Sequence, residues 1–249
     1  NDTTIKLLNT IDERIAMIRA LGISNVVVKT FTKEFANMSA RDYVKQILVD
    51  ELRAKIVVIG YDHHFGKNRS ANINDLKKLG EEFDFEVYEI PAQEVEDITV
   101  SSTKIRHALN QGHVDLANSY LGYDYFMNGK VIKGRSLGRT LDFPTANIEV
   151  DVDYKLIPKD GVYVVSSEYN NITLYGMMNI GTNPTVDGKN RSIEVHFFDF
   201  NDDIYGVHLK INFLKRLRDE QKFESVDLLK SQLKEDKNNA KAIINDINA

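Results

Sequence analysis

Residues 134–147, reading GRSLGRTLDFPTAN, combine glycines, arginines and a short set of hard oxygen donors. Thr145 and Asn147 stand two apart, so on an extended segment both point the same way and can offer a hydroxyl and an amide carbonyl to one ion. Mg²⁺ prefers such oxygens and takes water and substrate phosphate as its remaining ligands. Pro144 fixes its own φ and biases Phe143 toward extended geometry, which holds the Thr-Ala-Asn segment in one shape before a ligand arrives. Gly134 and Gly138 let backbone N–H groups approach phosphate, and Arg135 and Arg139 supply charge. An ordinary strand and turn with surface arginines would use the same residue types, and this segment alone leaves both readings open.

Three further segments carry chemistry. In residues 192–200, SIEVHFFDF, strand alternation sends Ile193, Val195 and Phe197 to one face and Glu194, His196 and Phe198 to the other. A carboxylate among such neighbours is either a partnered structural glutamate or a base, with His196 as a rival base on the same face. Residues 60–70, GYDHHFGKNRS, follow an apolar run and offer Asp62, His63, His64, Lys67 and Arg69 around two glycines. The adjacent histidines point to opposite faces of an extended chain and have no obvious third ligand, so a metal site there is not expected. Residues 100–112, VSSTKIRHALNQG, read as a helix with Ser102 as N-cap, Arg106 one turn in and Gly112 as its stop. Such a helix start can bind an anion, and it is equally an ordinary capped helix.

The elements that must position these residues fall into two patterns. Up to about residue 122, the short apolar runs 24–29, 55–60 and 85–90 alternate with helical spacing at 39–53 and 73–83. That is an α/β arrangement of buried parallel strands, with Ser39 as an N-cap and ligands expected at the carboxyl ends of the strands. From about residue 123, strand-like runs at 131–133, 161–166, 174–180, 193–198 and 207–213 recur with turn residues between them, which predicts a small antiparallel barrel. Residues 224–248 read as a charged amphipathic helix or helix pair, with Leu228, Leu229, Leu233, Ile243 and Ile244 available to pack on it.

Composition narrows the class. A 249-residue chain with 42% hydrophobic content can build one large or two ordinary cores. The net charge of −5 argues against a broad nucleic-acid surface. The absence of cysteine excludes disulfides and thiolate metal sites. No apolar run reaches about 18 residues, so no membrane partner is expected. The opening NDTTIKLLNTIDERIAMI is unlike a signal peptide, and its first residue is not methionine. Composition agrees with a cytoplasmic enzyme but does not identify one; we expect that the natural start of the chain has been lost, and the sequence leaves its oligomeric state unknown.

The segment PTAN is followed in order by PKDGVY, NIGTNPTV, SIEVHFFDF, IYG and LRDEQKFES. In that order and spacing the chain resembles riboflavin kinase, and the region in front resembles the adenylyltransferase half of the bifunctional bacterial riboflavin kinase/FAD synthetase. The resemblance covers essentially the whole chain. It implies an incomplete Rossmann-like nucleotidylyltransferase domain at 1–122, followed by a β-barrel kinase domain with a C-terminal helix at 123–249. It further implies ATP and riboflavin or FMN as substrates, Mg²⁺ at Thr145 and Asn147, phosphates enclosed by Gly134, Arg135, Gly138 and Arg139, and Glu194 as the base for the riboflavin 5′-hydroxyl. Arg218 and Phe223 resemble part of a flavin-side loop, although Phe223 can equally anchor the last helix. Asp62, Ser102, Thr103 and Arg106 match positions that line the adenylyltransferase pocket.

The chain also departs from the family. The H-x-G-H signature that contacts ATP in the adenylyltransferase half has no counterpart among the six histidines, so FAD synthesis is expected to be lacking in the chain as given. Losing a first strand and helix would leave apolar surface on the parallel sheet. Asp142 stands where glycine is common, and Asn183 where arginine is. The alternative from another functional class is a non-catalytic flavin- or nucleotide-binding regulator, which would have no need of a base beside metal ligands.

Overall fold

The computed structural model describes residues 5–92, 94–95, 98–133, 143–185 and 188–249. In chain order these form helices α1 (Ile11–Ala20), α2 (Lys33–Ala36) and α3 (Ala40–Tyr43), the last continuing as a π-helical stretch, Val44–Glu51. Strand β1 (Ile56–Gly60), helix α4 (Ile73–Phe83) and strands β2 (Glu86–Ile90), β3 (Glu94–Val95) and β4 (Ile98–Thr99) follow. Next come helices α5 (Ser102–Gln111) and α6 (Val114–Leu121) and strands β5 (Phe126–Ile132), β6 (Ala146–Glu149), β7 (Gly161–Tyr169), β8 (Ile172–Thr185), β9 (Gly188–Phe197) and β10 (His208–Arg218). Helix α7 (Val226–Asn248) ends the chain. Contacts divide the chain into one compact unit at Ser24–Val100 and a second made of Asn1–Ile23 with Ser101–Ala249.

In the 24–100 unit, β1 and β2 pair in parallel with α4 between them in sequence. Asn72 caps α4 through a reciprocal exchange with Asp75. Its apolar stripe, with Leu76 and Leu79, packs with Val57, Ile59 and Val87 from one face of the strand pair. On the opposite face Ile56, Val58, Tyr88 and Ile90 are each at least half exposed. Ser39 caps the expected helix by accepting from Asp42 N–H. The expected strand at 24–29 does not form. Its β-branched side chains Val27 and Val28 are exposed, and strand propensity without a neighbouring strand to pair with does not hold an extended ladder.

The second unit is built on a closed barrel of strand order β10-β5-β6-β9-β8-β7, antiparallel throughout, as the sequence predicts. Closure leaves no free edge. The 224–248 segment is a single helix capped by Ser225, and its Ala240 and Ile244 bury against Phe143, Val162, Val164, Met177 and Phe198 on the outside of the barrel. Leu233 and Ile243 pack alongside, whereas Leu228, expected to join them, is exposed because it lies in the first turn, beyond the packed face.

Residues 5–20 also belong to this second unit. Leu7 pairs with the backbone around Lys155, donating to Tyr154 O and accepting from Leu156 N–H. Thr10 and Glu13 form a capping box at the start of α1. The second oxygen of that exchange has another partner: Glu13 Oε2 lies 2.7 Å from Lys155 Nζ, and the two side chains are 1% and 0% exposed. Glu13 Oε1 accepts from the backbone and side-chain amides of Asn128, both at 3.3 Å. The ammonium also donates to Leu8 O at 2.7 Å and lies 4.7 Å from the Tyr125 ring centre. Burial holds Lys155 below the ordinary lysine range, with Glu13 opposing that shift.

Candidate functional site

Antiparallel pairing converts distant residues into neighbours. β6 and β9 align with Asn147 opposite Glu194, and β8 and β9 align with Asn179 opposite the same Glu194. The central strand therefore presents its carboxylate between two amide side-chain positions. Thr145, just ahead of β6, donates its hydroxyl to Glu194 Oε2 at 3.1 Å. The structure thus brings together Thr145, Asn147 and Glu194, and adds Asn179. The sequence contained Asn179 within the NIGTNPTV run, but only the strand register shows what it faces.

Alternation along β9 sorts its side chains to two cavities. One, of about 330 Å³, is lined by Phe143, Thr145, Met177, Asn179, Glu194 and His196, by Arg218 at the end of β10 with Glu220, Gln221 and Phe223 after it, and by Leu233 and Asp236 of α7. The other, of about 570 Å³, is lined by Val131, Val195, Phe197 and the segment from Phe200 to Tyr205. Pro144 and Ala146 belong to the second cavity alone, and Thr145 to both. A group that must reach from one cavity to the other finds Thr145 at the junction.

His196 is buried between Phe143 and Phe198, with ring centres 5.2 and 5.7 Å away. Its Nδ1 lies 2.9 Å from Pro144 O, which can only accept, so Nδ1 carries the proton and Nε2 is the bare nitrogen. Among the described residues Nε2 has no hydrogen-bond partner. Burial lowers the His196 pKa below the usual histidine value, only partly offset by the carbonyl contact. The neutral ring therefore packs Phe143 and fixes the Pro144 carbonyl that precedes Thr145.

Arg218 is committed to an acid that the sequence reading did not single out. Its Nε and Nη2 engage both oxygens of Asp236 at 2.7 to 3.1 Å, and Asp236 is 2% exposed. The signal was present: Asp236 lies three to eight residues from Leu233, Ala240 and Ile244, so an acid stands on the apolar stripe of α7. Asp219, next to Arg218, is held at about 2 by hydrogen bonds from Arg216 and Lys159.

The remaining expected residues belong to other segments of the chain. Gly134, Arg135, Gly138 and Arg139, with Asp142, lie outside the described residues. Asp62 is exposed beyond β1 in the 24–100 unit, where His64 Nδ1 meets its carbonyl at 2.9 Å and His63 stacks on Phe65. Gly66 is required there: its φ is +75° and an added Cβ would lie 2.8 Å from Ala40 N. In the other unit Ser102 and Thr103 open α5, but the cap is Ser101, which accepts from Lys104 N–H; Ser102 is already the first helical residue. Two consecutive serines offer the same chemistry, and the one with extended φ/ψ takes the role. Arg106 Nε donates to Lys6 O at 2.9 Å. No group of three or more His, Cys, Asp and Glu side chains able to hold a metal occurs among the described residues, and none of their helices is long and apolar enough to cross a membrane.

Comparison with known proteins gives matches along nearly the whole chain. A family model for riboflavin kinase matches residues 121–244, and one for FAD synthetase matches residues 1–104. The bifunctional riboflavin kinase/FMN adenylyltransferase of Buchnera aphidicola from Acyrthosiphon pisum is 39% identical over 90% of this chain and 72% of its own length. The protein of that description from Listeria monocytogenes is 38% identical over 96% and 75%. A solved structure described as a macrolide-efflux protein from Streptococcus pneumoniae superposes with a TM-score of 0.85 at 36% identity, covering 94% of this chain and 75% of that one.

Proposed function

We propose, on the premise that the chain belongs to the family of bifunctional riboflavin kinase/FMN adenylyltransferases, that Thr145, Asn147 and Glu194 form the centre at which its barrel phosphorylates riboflavin. The observation that carries this reading is the convergence of a hydroxyl, an amide and a carboxylate, from positions 49 residues apart, where two cavities meet.

The smaller cavity suits the flavin. Its walls include Phe143, Met177, Phe223 and Leu233, and Arg218, the one arginine among the described residues lining it, is neutralised by Asp236. With Glu194 and Glu220 also lining it, a triphosphate there would meet more negative than free positive charge among the described residues, and an uncharged planar ring with a hydroxylated chain is the better fit to them. The larger cavity, sharing Thr145, is left for ATP. Glu194 accepts the proton of the riboflavin 5′-hydroxyl, and Thr145 fixes the carboxylate through its own hydroxyl hydrogen. That orientation leaves the lone pairs of Thr145 Oγ1 free for a cation. Thr145 and the Asn147 amide oxygen are the hard donors that fit Mg²⁺. When bound, the ion would neutralise charge on the transferring phosphate. Positioning and charge neutralisation carry most of such a transfer, so the chain needs no covalent intermediate.

Gly134, Arg135, Gly138 and Arg139 complete the reading as phosphate contacts, and Arg218 as a residue of the flavin side. The match to FAD synthetase supports transfer of an adenylyl group to FMN as the other half of the family's chemistry, which the chain as given is expected to lack without an H-x-G-H signature. Within that half Asp62 of the 24–100 unit is read as a nucleotide contact, and so, separately, are Ser102, Thr103 and Arg106 of the other unit. The functional division is drawn at 122/123, and the cytoplasm is the compartment that fits use of ATP by a chain without cysteine.

The test is Glu194→Gln, assayed by chromatographic separation of riboflavin and FMN after incubation with ATP and Mg²⁺. The amide keeps the volume and still accepts from Thr145, so folding and riboflavin affinity should stay near those of the parent. Loss of the base should lower kcat by about 10²–10⁴-fold. A kcat within tenfold of the parent would remove Glu194 from the role.

A further inference from the structure

We infer that Asp236 is a positioning residue: through Arg218 it latches the segment after β10 to helix α7, so that Phe223 stands as a wall of the flavin cavity. The inference rests on the riboflavin kinase reading above and names two roles that reading leaves open. Asp236 touches no reacting group, and Arg218 contributes geometry rather than charge.

The contacts define a chain of restraint. Asp236 is fixed on α7, which is itself anchored to the barrel through Ala240 and Ile244, one and two turns further on. Both Asp236 oxygens are taken by the Arg218 fork, and Gln232, one turn earlier, adds a third donor at 3.1 Å to Oδ1. Such a bidentate pair fixes the plane of the guanidinium as well as its position. Arg218 passes that order to the next residues. Its Nη1 donates to Asp219 O at 3.0 Å, and its guanidinium carbon lies 5.8 Å from the centre of the Phe223 ring. Gln221 reaches back to Gln232 on the helix at 3.3 Å. The five residues 219–223 are thereby tied to α7 at their start, middle and end, and three of them, Glu220, Gln221 and Phe223, line the cavity.

A purely electrostatic role is a poor account of this geometry. An arginine intended for a phosphate would keep its fork free, yet here one full edge is spent on a carboxylate with 2% exposure. A buried ion pair is seldom the most stabilising choice for its volume, because desolvation offsets much of the attraction. Its distinctive property is direction: it accepts one arrangement of two elements.

The experiment uses the full chain with three variants, Asp236→Leu, Arg218→Met, and both together, followed by thermal melting, steady-state FMN formation and riboflavin fluorescence titration without ATP. Arg218→Met leaves the buried Asp236 carboxylate without its fork and Asp236→Leu leaves the partly buried Arg218 without its acid, so each should lower Tm; the double variant, with neither charge, should recover most of that loss. The latch predicts that riboflavin KM and Kd rise at least tenfold in the double variant despite its recovered Tm, while ATP KM stays within twofold. Recovery of riboflavin KM together with Tm would overturn the inference, since the pair would then serve stability alone. An equal rise in ATP KM would overturn it as well. Where a single variant fails to fold, the double variant and the shape-preserving Asp236→Asn still decide the outcome. A parent chain that binds riboflavin but forms no FMN would sink the kinase reading and leave the latch to the binding titration. A parent that binds no riboflavin would sink both.

Discussion

Replacing Glu13 with alanine should unfold the barrel unit more readily than any change at its surface. The substitution removes the partner of Lys155, an ammonium with 0% side-chain exposure, and leaves it one carbonyl, Leu8 O, and two aromatic faces. It also removes the acceptor for both Asn128 amides and half of the capping box on α1. Breaking a buried pair by deleting one member costs about 3–5 kcal/mol. With a urea m-value of about 2 kcal/mol/M, the midpoint should fall by about 2 M. The chain has no tryptophan, so far-UV circular dichroism is the suitable probe. The pH dependence gives a second reading. Burial already lowers Lys155, and without Glu13 to oppose the shift its folded pKa falls further below that of the unfolded chain. Between those two values the unfolded state binds the extra proton, so the variant's stability rises with pH and its deficit should narrow from pH 7 to pH 9. Glu13→Leu with Lys155→Met, which buries neither charge, should recover most of the loss. A Glu13→Ala midpoint within about 0.5 M of the parent, at an assumed m near 2 kcal/mol/M, would refute the claim that the pair is a buried lock.

Two further outcomes follow from the barrel. Gly176→Ala would bring a methyl group to 2.5 Å from His196 O, across the β8–β9 ladder, so β9 must shift; we expect a lower Tm and a kcat reduced at least tenfold, and a parent-like kcat would show that the strand absorbs the displacement away from Glu194. His196 is buried with a lowered pKa, so its stabilising effect is complete above the unfolded value near 6.5 and is lost as pH falls through the folded value. His196→Gln should therefore flatten the part of the Tm–pH curve below about pH 6.5 relative to the parent, and two parallel curves would contradict the assignment.

The barrel was legible in the sequence because its strands recur at short intervals with turns between them, and because Glu194 interrupts an apolar alternation that a closed sheet enforces. Thr145 and Asn147 could be read as a pair for the same reason, their spacing of two. What could not be read was the meeting of Asn147 with Glu194, 47 positions apart, since register is fixed by the closure of the whole barrel rather than by either strand. Lys155 and Glu13 escaped notice for a related reason: single charged residues in polar stretches announce nothing until the fold buries both. Residues 24–29 failed in the other direction. Their valines have strand propensity, but propensity is realised only where a neighbouring strand supplies hydrogen bonds and cover. Ser102 was misread by one position because consecutive serines are interchangeable as caps on composition alone.

Alternation along β9 has a consequence for how this chain can change. Glu194 faces one cavity and Val195 the other, so the chemistry of the site depends on whether a position is odd or even. Loss of one residue upstream in β9 would carry the valine to the flavin side and the carboxylate to the other cavity, while loss of two would restore the pattern and merely shorten the hairpin with β8. Length variation in this hairpin should therefore be inherited in steps of two.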